Sequence, residues 1–106
     1  MGEARPVKLR YTRCASAELK EILAHIEMHS PQGARNVKTR IQEVILLLTQ
    51  HPQAGPVTSV GRLRRIVASP YPYLIFYEAR DAEIVIHGVR HGSRRPSSMP
   101  QRDEAS

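Results

Sequence analysis

The 106-residue chain has a single cysteine, no tryptophan and one phenylalanine. One thiol, Cys14, excludes an intramolecular disulfide and any zinc site built on several cysteines, which suits a reducing compartment. Its ordinary reading is a small packed residue ahead of a helix. Long apolar runs are missing too: the longest, Val44 to Leu48, is far shorter than the roughly 18 residues that span a bilayer, and no charged-then-apolar leader opens the chain. Repeats and low-complexity stretches are absent. Acidic residues are in the minority, 10 Asp and Glu against 16 Lys and Arg, for a formal net charge of +6. That imbalance points to an acidic partner: nucleic acid, an anionic surface or an acidic protein. Lysine disappears after Lys38 and tyrosine after Tyr77. What remains, with 41% hydrophobic residues, is enough for one domain that buries roughly 60 to 65% of its unfolded surface. The expectation is a soluble cytoplasmic protein without a membrane span.

The apolar residues are ordered in two periods. From Val7 to Thr12 they alternate, with Val7, Leu9 and Tyr11 set against Lys8, Arg10 and Thr12, as in a half-buried strand. From Ser16, read as an N-cap, Leu19, Ile22, Leu23 and Ile26 form one helical stripe, with Glu18 favourable in the first turn. Ser30 followed by Pro31 is a helix start, a capping hydroxyl and then a proline at the first helical position. The second stripe comprises Ala34, Val37, Ile41, Val44, Ile45 and Leu48, and His51-Pro52 stops it. Two amphipathic helices so close in sequence bury both stripes by folding back on each other over a common surface.

The second half supplies that surface. A breaker-rich loop from Gln53 to Gly61 precedes a strand starting at Arg62. "YLIFYEA" and "EIVIHGVRH" are rich in β-branched and aromatic residues, and Arg80-Asp81-Ala82 is about the length of a tight connection, so they pair antiparallel. The predicted architecture is α+β: an N-terminal strand, an antiparallel two-helix hairpin, and a three-stranded antiparallel sheet under the helices. After His91 two prolines, several serines and few apolar residues mark a change of character. Residues 1–91 are therefore expected to form the domain and residues 92–106 a mobile tail.

With that order in place, four stretches carry a resemblance: "AELKEILAHIEMHSPQGA", "HPQAGP", "GRLRRIVASPYPYLIFYEA" and "VRHGSRRP". In this order and spacing they resemble the RelE/ParE superfamily of toxins, over about Lys8 to Pro96 and more closely in its ParE branch. The resemblance implies the compact α+β fold of that superfamily and the toxic half of a type II toxin–antitoxin module. It implies a hetero-oligomer with an acidic, ParD-like antitoxin and no cofactor. Two activities accompany the superfamily: RelE-like members cleave mRNA in the ribosome, whereas ParE-like members poison DNA gyrase. The missing lysines and the absence of tyrosine near the C-terminus depart from the RelE-like pattern, while "LRR", "PYLIFY" and "HG.R" look like ParE. The expectation is a non-enzymatic toxin that binds gyrase, with a ribosome-dependent endoribonuclease as the alternative. A non-toxic basic module that binds nucleic acid needs only the charge.

Individual residues are weighed the same way. RNA cleavage by a 2′-hydroxyl needs a proton acceptor, a donor and cations on one patch. His87 and His91, four apart on a strand, would share a face and supply the first two. Against this, a histidine at a strand end is commonly a structural hydrogen bonder, and His87 and His91 offer two metal ligands with no third carboxylate or cysteine at a suggestive spacing, short of the closed set of a structural zinc site. Arg62, Arg64 and Arg65 at one strand start, with Arg90, Arg94 and Arg95 near another strand's end, read together with His91 as a target-binding patch, or else as charges guarding a sheet edge. Leu19, Ile22, Ile26, Val37 and Ile41 read as core, or partly as a groove for the antitoxin. Tyr71, Tyr73, Phe76 and Tyr77 read as packing residues in preference to base-stacking platforms.

Overall fold

The computed structural model describes residues 7–92. Six elements follow in the expected order: β1 (Lys8–Tyr11), α1 (Arg13–His29), α2 (Pro31–Gln50), β2 (Arg64–Val67), β3 (Tyr73–Arg80) and β4 (Glu83–His91). The four strands form one mixed sheet in the order β1-β4-β3-β2. β2, β3 and β4 are antiparallel neighbours, and β1 joins the far side of β4 in parallel, Leu9 beside Ile84 and Tyr11 beside Ile86. A parallel neighbour requires a long crossover, and here both helices and two strands provide it.

α1 begins at Arg13, three residues before the Ser16 start suggested by periodicity. Thr12 is the cap: its hydroxyl accepts from the Ala15 N–H at 3.0 Å, while its own N–H donates to the Ile86 carbonyl at 3.0 Å. The strand pairing fixes Thr12 at the sheet edge, so the cap forms there. Ser30 ends one helix and starts the next. Its N–H donates to the Ile26 carbonyl at 2.8 Å and its hydroxyl accepts from Gly33 N–H at 2.9 Å, with Pro31 at the first helical position of α2. Two long helices are thereby joined by one residue. β2 is shorter than expected, opening at Arg64, because Arg62 lies in the preceding turn.

Val37, Ile41, Val44, Ile45 and Leu48 of α2 pack on Ile75, Tyr77, Ile84, Ile86 and Val89 of the sheet. Each such side chain contributes about 1.5–3 kcal/mol when fully buried, so this layer dominates the stability. The α1 stripe, Leu19, Ile22, Leu23 and Ile26, packs at the margin of the cluster and stays half-exposed.

One irregularity changes how β4 is read. Tyr77 pairs with Ile86 but Phe76 pairs with Gly88, leaving His87 as the extra residue of a β-bulge. A bulge shifts the alternation by one residue. Ile84 and Ile86 before it and Val89 after it all join the helix-side core.

Candidate functional site

The bulge decides the fate of the two histidines expected to share a groove. His87 projects with Glu83 and Val85 to the face opposite the helices, whereas His91, past the bulge, stands beside Tyr73 of the helix-side layer with the rings 5.5 Å apart edge-on. Strict alternation puts them together; the inserted residue puts them on opposite sides of the sheet. His87 is only 6% exposed, and its Nε2 lies 3.2 Å from Oε1 of Glu78, itself 2% exposed. Arg80 donates to the same oxygen at 3.2 Å. With Nε2–H donating to the carboxylate, Nδ1 of His87 is left buried without a hydrogen-bond partner among the described residues. Burial pushes the His87 pKa below its ordinary value; Glu78 works against that shift, and Arg80 and Arg10 add to it.

Around this pair the same face carries Lys8 and Arg10 on β1, Arg65 on β2 and Arg80 on β3, all exposed. Arg10 donates to Glu83 at 2.8 Å, and this hydrogen bond holds the Glu83 carboxyl below the usual range. Lys8, Arg10, Glu78 and Arg80 were not singled out in the sequence. The available signal was Glu78, a carboxylate in the middle of the apolar run "YLIFYEA".

The arginines read as one patch are divided among surfaces. Arg65 faces away from the helices. Arg64 points to the helix side and donates to the Gly55 carbonyl at 2.7 Å. Arg62 is exposed in the turn before β2. Arg62, Arg64 and Arg80 do meet around one open cleft of about 880 Å³, which Asp81 and Glu83 also line. Its wall is held by Tyr77, whose hydroxyl accepts from Gly55 N–H and donates to the Pro52 carbonyl, both at 2.9 Å. Burial raises the Tyr77 pKa, partly offset by the Gly55 hydrogen bond. A side chain at residue 55 would bring its Cβ to 2.5 Å from the Arg65 carbonyl oxygen, so this approach requires glycine.

Arg90 acts as a strut. Its Nε donates to Glu18 Oε2 at 3.0 Å while the other oxygen of Glu18 accepts from Val89 N–H at 2.9 Å, tying α1 to the end of β4. Arg94 and Arg95 lie outside the described residues, as does residue 93 onward of the expected tail; Gly92 is attached to the fold by its N–H bond to the Pro72 carbonyl at 2.6 Å. Among the groove residues, Val37 and Ile41 are interior, 5% and 1% exposed, and Leu19, Ile22 and Ile26 are half-exposed along α1.

Comparison with known proteins fits this geometry. Residues 9–96 match the family model described as the ParE toxin of the type II toxin–antitoxin system parDE. The chain belongs to the ParE toxin family. A relative from Caulobacter vibrioides, named Toxin RelE2, is 31% identical over 84 residues, 79% of this chain and 93% of that protein. A solved structure described as the chromosomal ParDE toxin–antitoxin system from P. aeruginosa superposes with a TM-score of 0.69 at 24% identity, covering 80% of this chain and 95% of that one. That likeness concerns the fold, and it agrees with the α+β architecture and its four-stranded mixed sheet. As a ParE-family protein the chain is a type II toxin. No helix among the described residues is long and apolar enough to cross a membrane.

Proposed function

We propose that this ParE-family toxin acts by binding, with DNA gyrase as its target, and that an acidic ParD-like antitoxin neutralises it in the cytoplasm. The observation that carries the reading is the separation of His87 from His91. An acid and a base must reach the same substrate, and here one imidazole is buried against Glu78 while the other stands on the opposite face beside Tyr73. The exposed cations at the cleft, Arg62 foremost, supply a surface for acidic groups. For the antitoxin, the half-exposed Leu19, Ile22 and Ile26 offer apolar area along α1. Val37 and Ile41 are spent on the core.

A second reading, mRNA cleavage, is favoured by the relative named RelE2 and by the ring of Lys8, Arg10, Arg65 and Arg80 around the Glu78–His87 pair. The two are separated by one experiment: brief induction followed by mapping of transcript ends, alongside a supercoiling assay with purified gyrase. Inhibited supercoiling with intact messages is expected. New discrete cuts in translated messages, lost in His87→Ala, would replace binding by cleavage.

A further inference from the structure

The C-terminal half of α1 carries two histidines that the toxin reading leaves unused. His25 and His29 are exposed, one helical turn apart, with ring centroids 5.3 Å apart and planes inclined by 58°. We propose that they form a two-imidazole site for a divalent transition-metal ion of the zinc and copper class.

Three observations converge. First, spacing: side chains at i and i+4 lie on one helical face, the arrangement by which helices present paired histidines to zinc. Second, distance: with metal–nitrogen bonds of about 2.0–2.1 Å, each ring centroid stands about 3.2 Å from the ion, and two such rings at a tetrahedral angle are about 5.2 Å apart. The observed centroid separation, 5.3 Å, lies close to that value. Third, tautomer: His29 Nδ1 lies 3.2 Å from the His25 carbonyl oxygen. A carbonyl oxygen only accepts, so Nδ1 carries the hydrogen and Nε2 keeps its lone pair for a metal. A backbone carbonyl held by the other ring nitrogen is the usual outer contact of a metal-binding histidine.

The location helps as well. His29 is the final residue of α1, where the partial negative charge of the helix C-terminus favours a cation. Among the described residues no group of three or more His, Cys, Asp or Glu is placed to hold an ion, so the chain supplies two ligands and water completes the shell. Imidazole pairs with open positions select Cu²⁺ and Zn²⁺ over Mg²⁺ or Ca²⁺, which prefer oxygen.

The test is titration of the untagged full chain with CuCl₂ and ZnCl₂ by calorimetry, with the imidazole resonances followed by NMR. One ion per chain is expected, with the His25 and His29 signals shifting together. His25→Gln and His29→Gln should each weaken binding by at least about tenfold, the scale on which even outer contacts of a metal site register, whereas His51→Gln should leave it unchanged. Both residues are exposed, so the variants retain the fold, and an unchanged far-ultraviolet spectrum verifies it. Equal affinity in either variant, dependence on only one of the two histidines, or shifts confined to His51 or His91 would overturn the assignment.

Discussion

Glu78 Oε1 lies 3.2 Å from His87 Nε2, both side chains buried on the sheet face opposite the helices. The pair makes stability depend on pH in a definite direction. The His87 pKa in the folded chain is lowered from 6.5, chiefly by burial. Well above 6.5 the imidazole is neutral in both states and the contribution is complete. As pH falls through 6.5 the unfolded chain takes up a proton that the folded chain refuses, so stability falls from there toward the lowered folded value. Denaturant midpoints of the parent and of His87→Gln, whose amide can still donate to Glu78, should diverge in pH dependence as pH falls below 6.5. Parallel curves would show that residue 87 titrates alike in both states.

Tyr77 and Gly55 lock the cleft wall to the sheet. Tyr77→Phe leaves Gly55 N–H and the Pro52 carbonyl without their shared partner, a loss of about 1–3 kcal/mol. Gly55→Ala should cost more, about 4 kcal/mol, because its Cβ meets backbone at 2.5 Å, where no side chain can yield. Chemical denaturation checks the order; an alanine variant as stable as the parent would mean that the loop is free to move away.

Ala82 closes the β3–β4 connection at φ 56°. A left-handed conformation costs an L-residue roughly 1–2 kcal/mol, while glycine adds about 0.4–1 kcal/mol of unfolded-state entropy. The first exceeds the second, so Ala82→Gly should stabilise by up to about 1 kcal/mol. A lower melting temperature in the variant would contradict this balance.

The helices, the Ser30-Pro31 junction and the β3–β4 hairpin were legible because each is written in local signals: a 3.6-residue stripe, a cap followed by proline, two β-rich runs around a short turn. Placing β1 beside β4 depends on a contact across more than 70 residues, which no local pattern encodes. The bulge at His87 was equally hidden. "IVIHGVRH" alternates well enough to suggest an unbroken strand, and only pairing with Phe76 and Tyr77 reveals the additional residue. Alternation alone puts His87 and His91 on one face, which the bulge undoes, and it gives no reason to single out Glu78. The arginines cluster in sequence, but neighbouring residues of a strand face opposite ways, which separates Arg64 from Arg65.

That separation leads to a final prediction, which distinguishes cations that bind from cations that hold the fold. Arg62 and Arg65 are exposed, and their side chains make no hydrogen bond among the described residues. Reversing both, Arg62→Glu with Arg65→Glu, should shift folding stability by no more than the ~0.5 kcal/mol typical of surface changes. It should slow association with an acidic target and reduce growth arrest, an effect that added salt mimics in the parent. Arg90 should behave in the opposite way. Its charge is engaged by Glu18, which also holds Val89 N–H, so Arg90→Ala should lower stability by about 1.5–3 kcal/mol, the range for a hydrogen bond to a charged group. Glu18→Gln, retaining one acceptor oxygen, should lose less than Glu18→Ala. Melting curves beside growth assays decide between the roles. If the double reversal melts early, those arginines belong to the fold; if it melts normally and still arrests growth, the target contacts another surface.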